Sequence, residues 1–286
     1  MLSHVFNTKL ASGLIDESMR GLIIAAGRGS RLGPLTDTSP KCLLKVGGIS
    51  IVERIINEMS NVGVKKLALV RGYMGNKFEL KNIQYFENFQ YSQNNILHSM
   101  MCAKDFLIDS LIQNENLIIS YSDIVFESVL MKKIAESRGS ISLLCDPDWE
   151  VKYSGRTQHP KTEAEIVVVK NSNLVLEIGK LFAEKKIGSP NSTLELLEFT
   201  GLILLKPAGI SLVLDAFEEI ANVVQADEPF GRANTFQNAY LSDLFQFLVD
   251  SGRQVEVTQF IGTWFEIDTE QDLRRANEFF TENNLI

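Results

Sequence analysis

The sequence predicts an α/β protein, a mostly parallel mixed sheet with helices on both faces, extended by a smaller β-rich lobe over about residues 140–206. Short apolar runs at 22–26, 66–70 and 117–121 lack polar alternation, as strands buried on both faces do. Between them lie segments with apolar residues at helical spacing, which is the alternation that builds parallel βα units. Beyond residue 140 the pattern changes to strand-like runs with few helices between them.

The first run, 22–26, is closed by Gly27 and followed by a glycine-rich loop. Ser50 and Glu53 form an S-x-x-E capping signature, and apolar residues recur at helical spacing from Ile51 until Gly63 ends them. Strands are expected at 66–70 and 83–86, a single helix from Asn94 through residue 107, and a third buried strand ending beside Ser122 and Asp123. In the second half, strands are expected at 140–145, 164–170, 174–178 and 199–206, with Asn171-Ser172-Asn173 as a hairpin turn. Helical periodicity returns at 208–222 and 237–250, a strand at 254–260, and a last helix at 269–280 with Asp272 three residues after Thr269. Residues 21–286 read as one composite domain, its ligand outside the carboxyl ends of the parallel strands. Residues 1–20 read as an N-terminal extension, whether helical arm, dimer arm or tail, which leaves a homodimer open.

With 286 residues, 45% hydrophobic and 22% charged, the chain can bury a sizeable core. A net charge of -8 offers no general attraction to nucleic acid or an anionic membrane, so neither is expected as a partner. No apolar run reaches the length of a membrane span, and residues 1–20 lack a basic segment followed by an apolar core. The three cysteines make no CxxC pair, which argues against a disulfide framework or a zinc site and fits a reducing cytoplasm.

Against this acidic background, residues 21–48 reverse the sign. Arg28, Arg31, Lys41 and Lys45 face one acid, Asp37, and Gly27 and Gly29 let the backbone approach a ligand closely. A polyphosphate is the anion such a loop suits. Neither the Walker spacing nor the dinucleotide fingerprint fits, because Gly27-x-Gly29-x-x is followed by Leu32. The AAGRGSRL run, then Thr36, then Pro40-Lys41-x-Leu43-Leu44-x-Val46, instead resembles the signature of nucleotidyltransferases that activate sugar phosphates and related metabolites.

That resemblance implies a Rossmann-like fold of the nucleotide-diphospho-sugar transferase (GT-A-like) type and a set of roles. Loop residues Ala25, Ala26, Gly27, Gly29 and Ser30 would hold a triphosphate, Arg31 would neutralise its β- and γ-phosphates, and Lys41 would bridge the α-phosphate and the acceptor. Asp123 and Asp268 match the family's two metal-binding aspartates, and hard oxygen ligands suit Mg²⁺. The alternative for each is a helix cap, Asp123 for the helix that follows and Asp268 or Thr269 for the last one. Glu198-Phe199-Thr200-Gly201 resembles the segment that shapes the acceptor pocket. Ile178-Gly179-Lys180 resembles a position whose lysine contacts the acceptor phosphate.

The Asn94-to-Ser99 segment, with Val70-Arg71-Gly72-Tyr73, looks more like the cytidylyltransferases for phosphocholine and for phosphonates such as 2-aminoethylphosphonate. CTP is therefore the expected nucleotide, with Asn95, His98 and Ser99 as candidate contacts to base or ribose; the alternative for His98 is a packed polar residue. In the polar segment 146–165, Trp149 and Tyr153 could hold a quaternary ammonium by cation-π attraction, and Arg156 could grip a phosphonate or carboxylate. Trp264, beside Asp268, is a further candidate for the acceptor wall. The expected reaction is Mg²⁺-dependent transfer of CMP from CTP to a small phosphorylated or phosphonate acceptor with release of pyrophosphate. The competing readings are a sugar-1-phosphate nucleotidylyltransferase using UTP, dTTP or GTP, and, outside that class, a glycosyltransferase or a non-catalytic nucleotide-binding regulator.

Overall fold

The computed structural model describes residues 18–179 and 193–283. Its first strand, β1 (Met19–Ala25), explains the unbroken apolar run. Leu22 and Ile24 join the hydrophobic cluster on one face of the sheet, and Ile23 and Ala25 join that on the other. With both faces covered, no position along the strand can point to water. The glycine-rich loop follows as two short 3₁₀ turns, Ser30–Thr36 and Lys41–Leu43. A small ribbon, β2 (Lys45–Val46) and β3 (Ile49–Ser50), then feeds helix α1 (Ile51–Asn61). The expected cap is reciprocal: the Glu53 N–H donates to Ser50 Oγ at 3.3 Å, and the Ser50 N–H donates to Glu53 Oε2 at 3.2 Å.

Strands β4 (Val64–Arg71) and β5 (Ile83–Glu87) extend the sheet in parallel. Where one helix is expected from Asn94 there are two, α2 (Ile96–Met101), capped by Asn95, and α3 (Lys104–Ile112). Leu97, Met100, Ala103 and Leu107 keep helical spacing across the break and are all buried, so the periodicity carries no mark of the turn. Strand β6 (Asn116–Tyr121) lies parallel to β1 on its other side. The chain then leaves the sheet as β7 (Ile124–Phe126) before α4 (Ser128–Ala135).

The second half contributes β8 (Ile141–Asp146), α5 (Trp149–Lys152), β9 (Ile166–Lys170), β10 (Val175–Gly179) and the long β11 (Leu194–Leu205). After these come α6 (Pro207–Val223), α7 (Leu241–Asp250), β12 (Glu256–Gln259), β13 (Trp264–Glu266) and α8 (Glu270–Glu282). Helix α7 starts later than the periodicity suggests, because Thr235 caps a separate short turn, Phe236–Asn238.

The fold class is as expected, a mixed sheet with helices on both faces. Its path is β10-β9-β11-β6-β1-β4-β5, with β8 on β11 and β12 on β8. Pairing is parallel from β6 through β5 and antiparallel where β11 meets β6, β8 and β9. The β-rich lobe is thus a continuation of the same nine-stranded sheet. Helices α2, α3, α6 and α7 pack into the cluster on one face, and α1, α4 and α8 into that on the other. No helix among the described residues is long and apolar enough to cross a membrane.

Two details position the site. Strand β13 pairs antiparallel with β7, Glu266 opposite Ile124, and the Ile267 N–H donates to the Asp123 carbonyl at 2.7 Å. This ribbon, absent from the expected elements, sets Asp123 and Asp268 side by side. Strand β11 changes register between Phe199 and Ile203, where Gly201 has φ 87°. A Cβ there would lie 2.7 Å from the Tyr121 ring. Gly201→Ala is expected to cost about 1–3 kcal/mol in left-handed strain, plus displacement of the ring, read as a lowered urea midpoint; an unchanged midpoint would show that β11 tolerates another backbone path.

Candidate active site

The loop after β1 and the β7–β13 ribbon meet at Lys41. Its Nζ donates to Asp123 Oδ2 at 2.8 Å and to Asp268 Oδ1 at 2.7 Å. Arg31 Nη2 donates to the other Asp268 oxygen at 2.5 Å, and its Nη1 lies 3.6 Å from Glu163. Burial opposes the Lys41 ammonium, but the two aspartates outweigh it and hold its pKa above the ordinary lysine value. Burial likewise opposes the Asp268 carboxylate, and Lys41 and Arg31 together hold it well below the usual range. Glu266, partly buried beside Asp268 and Asp123, is pushed well above its usual value by desolvation and by their like charge.

Both helix-cap alternatives are resolved by this arrangement. The N-cap of α4 is Glu127, and Asp123 lies in the turn before β7. Helix α8 is capped by Thr269, whose Oγ1 accepts from the Asp272 N–H at 3.2 Å while Asp272 Oδ2 accepts from the Thr269 N–H at 3.0 Å. The Asp268 side chain is therefore left for Lys41 and Arg31.

The donor set fits a hard divalent cation. Asp123 Oδ1 is buried and has no hydrogen-bond partner, although Oδ2 of the same carboxylate is bonded to Lys41. A buried carboxylate oxygen in that state is poorly satisfied until a cation reaches it. His159, Glu266 and Asp268 also bring three ligand atoms within 4.8 Å of one another. Burial, then the neighbouring Arg156, lowers the His159 pKa to about 4, so its imidazole is neutral and able to coordinate. Mg²⁺ held here would offset phosphate charge and orient the phosphates. Glu266 is missing from the sequence-based candidates, although its spacing to Asp268 as E-x-D at a strand end is a signal that could have found it.

On one side of Lys41 a cavity of about 180 Å³ opens, lined by Ala25 at the end of β1, by Ala26, Gly27 and Gly29 from the loop and by Asn95 and Ser99 from α2 and its cap. Gly29 has φ 69°, and a Cβ there would come within 2.8 Å of the Lys41 stem, so the loop can lie on that lysine only as glycine. Tyr91 and Asn94 line the same cavity and are additions to the expected set. His98 is a correction: its ring packs edge-on against Phe217 and Phe236, 5.6 and 4.8 Å away, and is absent from the lining. His98 and Ser99 are consecutive on α2 and so point about 100° apart around its axis; with Ser99 on the cavity, His98 is turned to the phenylalanines.

On the other side lies a larger cavity of about 340 Å³, which shares Gly29, Lys41, Asn95 and Asp123 with the first. Ser30, Arg31, Glu198, Trp264 and Asp268 line it. Trp149, Tyr153 and Arg156 do not, which corrects their assignment to the acceptor wall. Trp149 and Tyr153 are buried in a small cluster with Ala164 and Ile166, their polar atoms spent on the Leu196 carbonyl at 3.2 Å and Glu198 Oε1 at 2.6 Å. Arg156 donates to Asp272 Oδ1 at 2.7 Å and fastens the polar segment to α8. Polar neighbours in the sequence hide the apolar role of the two rings. Lys180 lies outside the described residues. Glu163, Glu165, Tyr121 and Tyr240, none of them among the expected residues, complete the wall.

Comparisons agree with this architecture. A family described as the MobA-like NTP transferase domain matches residues 21–175. The chain is 28% identical over 263 residues to the CTP:phosphoglutamine cytidylyltransferase of Campylobacter jejuni, covering 89% of this chain and 98% of that protein. It is 35% identical over 96 residues to the 2-aminoethylphosphonate cytidylyltransferase of Lancefieldella rimae, 32% of this chain and 39% of that one. The solved structure of the CTP:phosphocholine cytidylyltransferase from Streptococcus pneumoniae superposes with a TM-score of 0.67 over 92% of this chain and 99% of its own, at 17% identity. That likeness bears on the fold alone.

Proposed function

From the premise that the chain belongs to the MobA-like NTP transferase domain family, we propose that it transfers CMP from CTP to a small phosphorylated or phosphonate acceptor, releasing pyrophosphate. The carrying observation is the continuous cleft, with a glycine loop at one end, a carboxylate-lined cavity at the other, and Lys41 with Asp123 and Asp268 between them. Two substrates placed at those ends would meet at the lysine.

The chain's own groups then have distinct tasks. Amide groups of the loop at Ala26 to Gly29 receive phosphate oxygens, which need donors fixed in place rather than recruited from water. Arg31, half exposed at the cleft mouth, follows the charge that accumulates on the departing pyrophosphate. Lys41, fixed from two sides, stabilises the equatorial oxygens while an acceptor oxygen attacks in line, where catalysis consists of positioning and electrostatics. Asp123, Asp268 and Glu266 are the residues that would hold Mg²⁺.

Cytidine is favoured by the small size of the cavity beside Asn94, Asn95 and Ser99, which a network through Asn88 and the Asn238 carbonyl holds in place, and by the relatives named for CTP or cytidylyl transfer. The test is a matrix of the four nucleoside triphosphates against 2-aminoethylphosphonate, phosphocholine and glucose 1-phosphate, scored by Mg²⁺-dependent pyrophosphate release. Release with CTP and a phosphorylated amine or a phosphonate is expected. Release confined to UTP with the sugar phosphate would overturn the assignment.

A further inference from the structure

Among the described residues, the larger cavity is lined by six carboxylates, Asp123, Glu163, Glu165, Glu198, Glu266 and Asp268, and by two cations, Arg31 and Lys41. Lys41, which also lines the nucleotide cavity, is bonded to Asp123 and Asp268, and Arg31 is bonded to Asp268 and lies 3.6 Å from Glu163. Among the described residues neither cation pairs with Glu198. Lys152 and Arg156 lie behind the cavity wall, but Lys152 is paired with Asp146 at 2.5 Å and Arg156 with Asp272 at 2.7 Å. With six carboxylates against two cations, the described lining carries an excess of acidic groups that the protein's own cations do not match.

Resting on the nucleotidyl-transfer reading above, we infer that the acceptor carries a primary ammonium group and that the Glu198 carboxylate receives it. Glu198 is 3% exposed yet lines the cavity. The Tyr153 hydroxyl donates to its Oε1 at 2.6 Å and holds it in one orientation, and Tyr153 is itself locked by edge-on contact with Trp149 at 5.8 Å. A charged group kept in so dry a place is costly unless a partner arrives. Burial pushes the Glu198 carboxyl up to about 7, against the pull of Tyr153 and Arg156, so those two neighbours do not offset its desolvation. Glu165, with Oε1 accepting from Ser242 at 2.7 Å and Oε2 from Tyr121 at 3.3 Å, is a second fixed acceptor on the same wall.

The chemistry of the wall separates two kinds of ammonium. A quaternary nitrogen has no N–H to give an oxygen and is held by aromatic faces; Trp149 and Tyr153 are packed in the interior, and the rings that do line the cavity, Trp264 and Tyr240 among them, share it with six carboxylates. A primary ammonium presents three N–H donors to oxygen acceptors and forms charge-assisted hydrogen bonds with carboxylates. The cavity offers Glu198 and Glu165 for those bonds, and the aromatic rings of Phe199 and Tyr240 for the methylenes.

The experiment compares 2-aminoethylphosphonate and phosphoethanolamine with phosphocholine and ethyl phosphate, each with CTP and Mg²⁺ and, in parallel, with UTP. It is run on the wild type and on Glu198→Gln, which keeps shape and loses charge. At least one primary amine is expected to exceed both phosphocholine and ethyl phosphate in kcat/KM by roughly 10- to 100-fold. Glu198→Gln should erase most of that margin by raising the amine's KM while the KM for CTP holds. Equal use of phosphocholine or ethyl phosphate by the wild type would overturn the inference, as would a full margin in the variant; both leave cytidylyl transfer standing. Failure of every acceptor with CTP beside turnover with UTP and a sugar phosphate would instead remove the cytidylyl reading, and the inference with it. The wild-type margin is measured without any variant, so a misfolded Glu198→Gln does not spare the proposal.

Discussion

Asp123→Asn and Asp268→Asn are each expected to lower kcat by roughly 10²- to 10³-fold or more at saturating Mg²⁺, yet to differ sharply in stability. Asparagine keeps the volume and removes the charge, so both variants weaken the cation site in the same way. Their folded-state roles are unequal. Asp268 is 5% exposed and anchors both Lys41 and Arg31, whereas Asp123 is 23% exposed and shares only Lys41. Losing Asp268 strands a largely buried ammonium with one carboxylate, a change that costs about 3–5 kcal/mol for a fully buried pair and less here because Arg31 is half exposed. Losing Asp123 leaves Lys41 bonded to Asp268 and frees an oxygen that was unsatisfied from the start. Thermal unfolding without Mg²⁺ should therefore show a clear drop for Asp268→Asn and a small one for Asp123→Asn. Near-normal turnover in a well-folded Asp123→Asn would remove that residue from the reaction centre.

The contrast between these two aspartates shows where sequence reading stops. Each is legible as a candidate from its place beside a strand-like run, and so is the loop, because glycine spacing and clustered cations are local signals. The contact between them is not. It depends on β7 and β13, three residues each, too short for alternation to declare itself, and paired only because the chain returns from the far side of the sheet. Glu266 stands two residues from Asp268 and is local to it; what needs the ribbon is the approach of Asp123, whose charge joins that of Asp268 and desolvation in raising the Glu266 pKa.

The acceptor side is obscured for a different reason. In the segment 146–165 the apolar rings stand among charges, and composition suggests a surface with aromatic contacts. The fold divides that segment: Trp149 and Tyr153 turn inward against Ile166 and Leu196, and Arg156 is drawn to Asp272. Glu163 and Glu165, in the same stretch, face the cavity instead. Side-chain direction in an irregular segment follows from its tertiary neighbours, and no period in the sequence encodes it. Glu198 is within reach of the sequence because it belongs to a strand, and β11 delivers it to the cavity just before the bend at Gly201.

Lys41→Ala is expected both to abolish useful turnover, by roughly 10²- to 10³-fold, and to make folding stability depend on Mg²⁺ far more than in the wild type. The lysine nitrogen lies within 2.8 Å of an oxygen of each aspartate, so in the free protein it is the cation that keeps two carboxylates together. Truncation leaves them facing each other with Arg31 alone for relief, at a cost of about 2–3 kcal/mol once the partial exposure of Asp123 is discounted from the fully buried case. A divalent ion binding the folded state restores that loss by mass action. It also binds the variant more tightly, since no ammonium competes for the same oxygens. The wild type, already neutralised by Lys41, gains less. Melting each protein over a Mg²⁺ titration reads this directly: the Tm of Lys41→Ala should start lower and climb more steeply. Parallel Tm curves would mean that Lys41 and the metal do not share Asp123 and Asp268, and the lysine would then be assigned to the phosphates alone.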